Sequence, residues 1–386
     1  MNYVAIRMLV GDRLKYIGLV AGLTFASLLI TQQASIFAGF MERTVAFMND
    51  TCQADLWVMD AQNEFTDDRK PILDSALLRV RGIEGVEWAV PLYKGFIRTR
   101  LADGGVVTAR MVGLDDTTLL GGPPTMIQGH LSDLRQDKGI LVDDRERFTA
   151  LNMKKGINGE GPRELRVGDR IDINDREAVV VGTFIRSREF FWDPLIFTTY
   201  SRALQYAPAE RKALNYILCK VRPGYDHQQV ARAIRDATKL GCYTHEEFKE
   251  VARNFILVRT GILANFGITI GLGFVIGALV SGQLLYTFVL DNLRYYAAMK
   301  AMGATNGVLA RMILAQTSLV GCIGFGLGVG IASLTGNLFG GGSLAFHLTW
   351  EILLFGAAAV LLCCIIAGLV SLLRVFRLEP GVVFKA

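Results

Sequence analysis

Residues with the chemistry of an active site are few and scattered in this sequence. It contains no G-x-x-x-x-G-K-[ST] phosphate loop, no H-E-x-x-H zinc motif, no G-x-S-x-G elbow and no C-x-x-C pair. The acidic pairs at 67–68 and 143–144 are ordinary in loops. The four histidines are isolated from one another: His130, His227, His245 and His347. We therefore expect no catalytic residue, no metal site and no cofactor bound by this chain.

The six cysteines are equally uninformative about chemistry. Three lie inside apolar runs, where a thiol packs as a small hydrophobic group: Cys322, Cys363 and Cys364. Three lie in the polar part of the chain, without the spacing of a metal site: Cys52, Cys219 and Cys242. Two interpretations of Cys219 and Cys242 stay open: a disulfide, if this part lies outside the cytoplasm, or two unpaired thiols.

The composition indicates a membrane protein with one large water-exposed part. Of the 386 residues 51% are hydrophobic and 20% are charged, and the mean hydropathy is +0.34. This is too apolar for an ordinary soluble protein and too charged for one that lies wholly in a membrane. The net charge of +5 is dispersed along the chain rather than clustered, so we expect no nucleic-acid partner.

Four apolar runs are long enough to span a bilayer. The run 262–290 has 29 residues without a charge, which as a helix would cover about 44 Å, against a hydrocarbon core of roughly 30 Å. No ionisable residue lies in the middle of a span, which disfavours a proton- or ion-coupled carrier. The predicted segments are 1–15 (N-terminal), 16–40 (first span), 41–255 (large domain), 256–290 (second span, with an amphipathic lead-in from 244), 291–307 (polar helix), 308–334 (third span), 335–349 (loop), 350–373 (fourth span) and 374–386 (tail).

The distribution of basic residues predicts the orientation of these segments. Lys and Arg are absent from the loop 335–349 but recur beside the other span ends, at Arg7, Arg13, Lys15, Arg294, Lys300, Arg311, Arg374, Arg377 and Lys385. Basic residues favour the cytoplasmic side. We therefore expect both termini and the 291–307 segment in the cytoplasm, with the large domain outside. The predicted fold class is an α-helical membrane protein with four transmembrane helices and a large mixed α/β extracytoplasmic domain between the first and second.

Two features link the predicted parts. The stretch 244–259 has amphipathic spacing and a capping box formed by Thr244 and Glu247, and we expect it to run as one continuous helix into the second span. Small-xxx-small glycine pairs recur in the second and third spans: Gly267/Gly271, Gly273/Gly277, Gly324/Gly328 and Gly326/Gly330. They fit either close packing within the chain or contact between subunits.

The polar segment after the second span, Leu293 to Thr305, has a narrow apolar stripe. Tyr295, Met299 and Met302 fall at i, i+4 and i+7, and Gly303 suits a left-handed helix end. Asp291 or Asn292 is a candidate for its N-cap. Methionine and tyrosine suit an adaptable partner contact, but a helix resting on lipid fits the pattern equally well.

The sequence LRYYAAMKAMGATNGVLARMILAQ resembles the coupling segment of MacB/FtsX-type ABC permeases, whose pattern is close to RREIGxLRALGAS. The order of one span, a large outer domain and three further spans is similar to that family over the whole chain. The ending RLEPGVVFKA is most similar to the DevC-like branch. The family's acidic residue after the arginine is Tyr295 here, which removes a charged contact.

The resemblance implies a function and partners. In this family the helix docks into a separate ATPase, so the implied docking residues are Arg294, Tyr295, Met299, Lys300, Ala301, Met302 and Gly303. The implied partners are two ATPase copies carrying ATP and Mg²⁺, a second permease copy in a homodimer, a periplasmic adaptor and membrane lipid. We expect the membrane subunit of an ABC exporter in the bacterial inner membrane, driven by mechanotransmission. The alternatives are a signalling complex that activates a cell-wall hydrolase and, less well supported, a membrane-anchored enzyme.

Overall fold

The apolar runs of the sequence form long helices, and the stretch between the first two runs forms a mixed sheet with shorter helices. A computed structural model of the chain describes residues 2–51, 53–68, 70–153, 162–190, 194–208, 213–340 and 344–376. The chain divides into two compact units. We call them the membrane unit (Met1–Met41 with Gly261–Ala386) and the inserted unit (Glu42–Thr260).

The helices and strands of the described residues are as follows. The helices are α1 (Asn2–Gly11), α2 (Arg13–Asp50), α3 (Ser75–Arg81), α4 (Tyr200–Tyr206), α5 (His227–Thr238), α6 (His245–Arg259), α7 (Ile262–Asp291), α8 (Leu293–Ala301), α9 (Asn306–Gly340) and α10 (Trp350–Phe376). The strands are β1 (Leu56–Met59), β2 (Val86–Arg100), β3 (Val106–Leu114), β4 (Thr125–Gln128), β5 (Gly139–Asp143), β6 (Arg170–Ile173), β7 (Arg176–Ile185), β8 (Leu195–Thr199), β9 (Tyr216–Val221) and β10 (Gly241–Thr244).

The predicted fold class is confirmed. Within the described residues, four helices are long and apolar enough to cross a membrane: Arg13–Asp50, Ile262–Asp291, Asn306–Phe339 and Trp350–Leu373. The mixed α/β unit lies between the first and second of them in the chain. The protein is therefore a multi-pass membrane protein with one large inserted domain.

The sheet of the inserted unit is partly closed on itself. Its strands follow the order β10-β1-β9-β2-β3-β8-β5-β7-β4, and β6 pairs with both β2 and β7. Strands β2, β3, β8, β5, β7 and β6 therefore form a closed ring of pairings, which leaves no open edge within the ring. The apolar side chains inside it form one buried cluster that includes Ile97, Met111 and Ile196.

Two tight turns join neighbouring strands of this sheet. The residues 102–105 join β2 to β3, with Leu101 N–H donating to the carbonyl of Gly105 at 2.8 Å. Asn174 and Asp175 join β6 to β7 with φ of 47° and 64°. Both residue types tolerate the left-handed region that a two-residue hairpin turn requires.

The predicted continuous helix from 244 into the second span is wrong. Thr244 and Glu247 do form the capping box of α6. However, α6 ends at Arg259 and α7 begins at Ile262, and between them Gly261 has φ of 69°. Glycine adopts this left-handed conformation without steric cost, and it ends a helix. The second span is therefore separated from its amphipathic lead-in.

The disulfide interpretation of Cys219 and Cys242 is also wrong. Both thiols are buried and unpaired. Cys219 of β9 pairs with Leu56 of β1, and Cys242 of β10 pairs with Val58 of β1. Strand β1 therefore runs between the two cysteines. Two strand spacings of ~4.8 Å place the cysteine backbones at least about 9.6 Å apart, whereas a disulfide needs Cα atoms within about 7 Å. Burial raises the pKa of Cys242 to about 12, which keeps it an unreactive thiol. Cys52 lies outside the described residues.

Glu189 is the centre of a buried ion cluster in the inserted unit. It accepts from Lys94 Nζ at 2.8 Å and from Arg186 Nη1 at 2.7 Å, and it also pairs with Arg110. All four side chains are buried. Burial alone would raise the pKa of Glu189, but the charges of Lys94, Arg110 and Arg186 hold it well below its ordinary value. The carboxylate therefore stays charged.

Two further carboxylates balance the cluster. Asp67 lies 3.1 Å from Lys94 Nζ, and Asp143 lies 3.6 Å from Arg186 Nε. Three cations thus face three anions, which is the arrangement that makes a buried charge tolerable. The cluster joins residues that are far apart in the chain.

The loop that carries Glu189 also holds the C-terminal end of α2. Ser187 donates to Asp50 twice, from its backbone N–H to Oδ2 and from its hydroxyl to Oδ1, each at 2.8 Å. Because Glu189 anchors the loop two residues further on, the end of the first long helix is fixed to the interior of the inserted unit.

The glycine pairs of the membrane unit fall into two classes. A Cβ added at Gly328 would lie 2.6 Å from Ser27 Cβ, and one added at Gly324 would lie 2.8 Å from Leu23 Cβ. Gly273 and Gly277 likewise face α2. In contrast, the four glycines of the other two pairs have no neighbour within 4 Å of such an atom: Gly267, Gly271, Gly326 and Gly330. Close packing within the chain therefore explains two of the four pairs.

We predict that Glu189→Ala destabilises the protein by about 3–5 kcal/mol, because it leaves three buried cations without their shared partner. The measurement is denaturant unfolding of the full-length chain in detergent. Glu177→Ala is the matched control: Glu177 also pairs with two cations, Lys138 and Arg170, but at the surface. We expect Glu177→Ala to lower the free energy of unfolding by only a small fraction of the loss in Glu189→Ala. Equal losses in both variants would contradict the assignment.

We predict that Gly328→Ala destabilises the membrane unit by about 1–3 kcal/mol, since the new methyl group overlaps Ser27 and must push α2 and α9 apart. Gly326→Ala, on the open side of the same helix, should have no such cost. Heat-induced loss of the monodisperse peak in gel filtration compares the two. If the Gly328→Ala variant is more stable than the Gly326→Ala variant, the contact between α2 and α9 is not formed.

Candidate coupling site

Helix α8 follows α7 after one residue. The sequence made Asn292 a candidate N-cap of α8, but its side chain does not form the capping hydrogen bond. Its amide instead donates to the carbonyl of Phe288 at 2.9 Å, which satisfies the last turn of α7. At the other end Gly303 has φ of 94°, and Ala304 N–H donates to the Met299 carbonyl at 3.0 Å. The predicted left-handed end at Gly303 is confirmed.

The two sides of α8 have different surroundings. Tyr296, Ala297 and Met299 are buried in the core of the membrane unit, with Met299 only 8% exposed. Tyr295 is 62% exposed and Met302 is 80% exposed. The remaining predicted docking residues that lie on the exposed side are Arg294, Ala301 and Gly303.

Lys300 lies at the border between these two sides. It is half-buried, and its Nζ lies 3.3 Å from the carbonyl of Phe376 at the end of α10. Of the predicted stripe, Met299 is therefore mainly a packing residue, while Tyr295 and Met302 present apolar surface.

Gln316 ties α8 to two other helices. Its Nε2 donates to the carbonyl of Ala5 in α1 at 2.7 Å, and its Oε1 accepts from the hydroxyl of Tyr296 in α8 at 3.2 Å. Gln316 and Tyr296 are fully buried. Burial raises the pKa of Tyr296 to about 12, so its hydroxyl keeps the proton that it donates. One amide thus connects α1, α8 and α9.

An open groove of about 1110 Å³ runs between α1 and α8. On the α8 side its lining includes Tyr295, Met299 and Met302, so the predicted stripe does form one wall. The lining residues that belong to α1, α2 and the link between them are Arg7, Met8, Gly11, Asp12 and Arg13.

Lys15 holds the two sides of this groove together. Its Nζ lies 2.9 Å from Asp12 and also forms an ion pair with Asp291, at the end of α7. The hydrogen bond from Lys15 lowers the pKa of Asp12 below its ordinary value. Both acidic residues of the groove are therefore engaged by one lysine.

Sequence reasoning missed the contribution of the N-terminal residues to this groove. We interpreted Arg7 and Arg13 only as indicators of membrane orientation. We predicted no helix for the segment 1–15. The missing signal was a helical period: Ala5 and Leu9, four residues apart, are both fully buried.

Comparisons with known proteins identify two regions. Residues 263–380 match the FtsX-like permease C-terminal family, and residues 17–237 match the MacB-like periplasmic core domain family. The second match alone covers more than half of the chain. The DevC-like branch stays a prediction, since these matches identify the family rather than a branch. Curated protein sequences give no significant match.

Three solved structures of low sequence identity also match this chain. The periplasmic region of MacB from Actinobacillus actinomycetemcomitans is 14% identical, with 52% of this chain and 94% of that one covered and a TM-score of 0.37. The extracellular domain of the transporter YknZ from Gram-positive bacteria is 10% identical, with 50% and 99% covered and a TM-score of 0.34. A domain of a putative permease from Porphyromonas gingivalis is 15% identical, with 50% and 89% covered and a TM-score of 0.34.

We predict that Gln316→Leu loosens α1, because the Ala5 carbonyl and the Tyr296 hydroxyl both lose their partner. Interhelical hydrogen bonds of this kind contribute about 0.6–1.7 kcal/mol in membranes, so amide hydrogen exchange in Asn2–Gly11 should become ~3- to 15-fold faster. Gln283→Leu, at an exposed glutamine of α7, is the control. Unchanged exchange in Gln316→Leu would show that the amide does not hold α1.

Proposed function

Because the chain belongs to the family of ABC-type permeases with a MacB-like periplasmic core domain and an FtsX-like C-terminal part, we propose that it is the membrane subunit of an ABC exporter whose ATPase is a separate subunit. The sequence has no phosphate-binding loop of its own. ATP and Mg²⁺ therefore belong to the partner in this proposal. Residues of this chain receive movement and do not perform catalysis.

The observation that carries the proposal is the two-sided character of α8. One side presents Tyr295 and Met302, apolar side chains that are largely exposed. The other side is fixed to α9 and α1 through Tyr296 and Gln316. A partner that pulls on the exposed side would therefore move the helices behind it rather than α8 alone. The proposed docking residues are Arg294, Tyr295, Met299, Lys300, Ala301, Met302 and Gly303, with Met299 and Gly303 shaping the helix more than contacting the partner.

The proposed path of the movement uses helix α2. Near its start, Lys15 pairs with Asp291 immediately before α8. The helix is continuous from Arg13 to Asp50, where Ser187 holds it. In our proposal a displacement of α8 is transmitted along this rod to the inserted unit, which handles cargo on the outer side. The second connection contains the helix break at Gly261, so our proposal places the path along α2.

The remaining assignments follow from family resemblance. We propose two ATPase copies, a second copy of this permease, surrounding membrane lipid and a periplasmic adaptor in a tripartite assembly. We place the complex in the bacterial inner membrane, with both termini cytoplasmic and the inserted unit periplasmic. The basic residues beside the span ends support this orientation.

We predict that Met302→Asp weakens binding of the ATPase about tenfold or more and reduces its stimulation by the permease. A carboxylate at this position would be buried in the contact without a partner. Co-purification of the full-length tagged chain with an ATPase, followed by ATPase assays in nanodiscs, measures the effect. Met302→Leu keeps the apolar surface and is the matched control.

Two results would count against the proposal. Normal ATPase stimulation by Met302→Asp would remove α8 from the docking surface. Purification without any Walker A ATPase would remove the ABC function itself. Recovery of a peptidoglycan hydrolase instead of an adaptor would replace export by activation of that enzyme, with the coupling step unchanged.

A further inference from the structure

We propose that the groove between α1 and α8 is the binding site for a segment of the partner ATPase that carries an apolar side chain flanked by carboxylates. This inference rests on the proposed function and extends it. The docking surface would then consist of two helices, with the N-terminal helix as the second wall. Three properties of the groove support this occupant: its orientation, its apolar floor and its charge.

The three sides of α1 show which way the groove faces. Ala5 and Leu9 are buried in the core, and Ile6 and Val10 form an exposed apolar side. The groove is lined by a third side, with Arg7, Met8 and Gly11. At about 100° per residue, this third side points roughly 125° away from Ile6 and Val10.

The exposed apolar side is the one that meets lipid. It continues at the start of α2 with Leu14 and Ile17, which are 82% and 62% exposed. An apolar side of this kind on a helix beside a span is buried in the membrane interface. The groove lies on a different side, which carries arginine, and so it opens to water and to a protein partner rather than to acyl chains.

The floor of the groove suits an apolar anchor. Met8, Met299 and Met302 lie along it together with Tyr295. Methionine side chains are flexible and adapt to the shape of an inserted group, and tyrosine is enriched at protein interfaces. Tyr295 and Met302 are largely exposed, so water is displaced from both when a partner side chain enters.

The charge of the rim selects an acidic partner segment. Its two acidic residues, Asp12 and Asp291, are both paired with Lys15. Arg13 also lines the groove and is exposed, so a positive charge lies there beside two carboxylates that are already paired. A carboxylate beside the apolar anchor would complement Arg13.

A photo-cross-linking amino acid placed at two positions tests the inference. Gly11 lines the groove, and an added side chain there meets no atom within 4 Å. Leu14, three residues on, lies on the lipid side. In nanodiscs that contain the full-length chain and the ATPase that co-purifies with it, we expect a cross-link to the ATPase from Gly11 and to lipid from Leu14. A cross-link from Gly11 to lipid, to its own chain or to a second permease copy would overturn the inference.

Charge reversal provides a second measurement. We expect Arg13→Glu to weaken ATPase binding about fivefold to tenfold, with a smaller effect at high salt. Arg311→Glu makes the same change at an exposed residue outside the groove and should leave binding within about twofold of the unmodified chain. If the unmodified chain binds the ATPase and Arg13→Glu binds equally well, the groove is refuted and the proposed function stands. If the unmodified chain binds no ATPase, both fail.

Discussion

A buried amide needs partners for its donor and its acceptor, and in the membrane unit this requirement determines which helices move together. Gln316 satisfies it with a carbonyl of α1 and a hydroxyl of α8. Because no water competes inside such a core, breaking either bond leaves a polar group unpaired. The three helices therefore have one favourable arrangement. In the proposed function, a force on α8 would therefore be shared among these three helices.

The inserted unit solves the same problem with charges. Glu189 brings together Lys94 and Arg110, from two neighbouring strands, and Arg186, from its own loop. Such a cluster stabilises only as a complete set, since each ion would be costly without the others. Through Ser187 the cluster also fixes Asp50 at the end of α2. In the inserted unit the buried cluster thus holds the loop, and exposed hydrogen bonds from Ser187 hold the end of α2.

What the sequence revealed depends on the range of the interactions involved. The four long apolar runs and the capping box at Thr244 are local features, and both predictions are confirmed. Long-range pairing was not predicted: β1 lies between the strands of Cys219 and Cys242, and no sequence spacing shows this. Residues 41–255 were recognised as α/β without the order of the strands. At the candidate site the stripe of Tyr295, Met299 and Met302 was found, but the opposite wall from α1 was not, because Gln316 lies 311 positions from Ala5.

The bond between Asp50 and Ser187 joins positions 137 residues apart, and this separation bears on how the protein is made. The ribosome synthesises the first long helix well before Ser187. Asp50 therefore lacks this hydrogen-bond donor until most of the sheet has been synthesised. Closing so long a loop carries a large entropic cost, which only a nearly complete inserted unit can offset. The first long helix is therefore complete before this bond can form, and during that interval the strands of the inserted unit are not yet all paired.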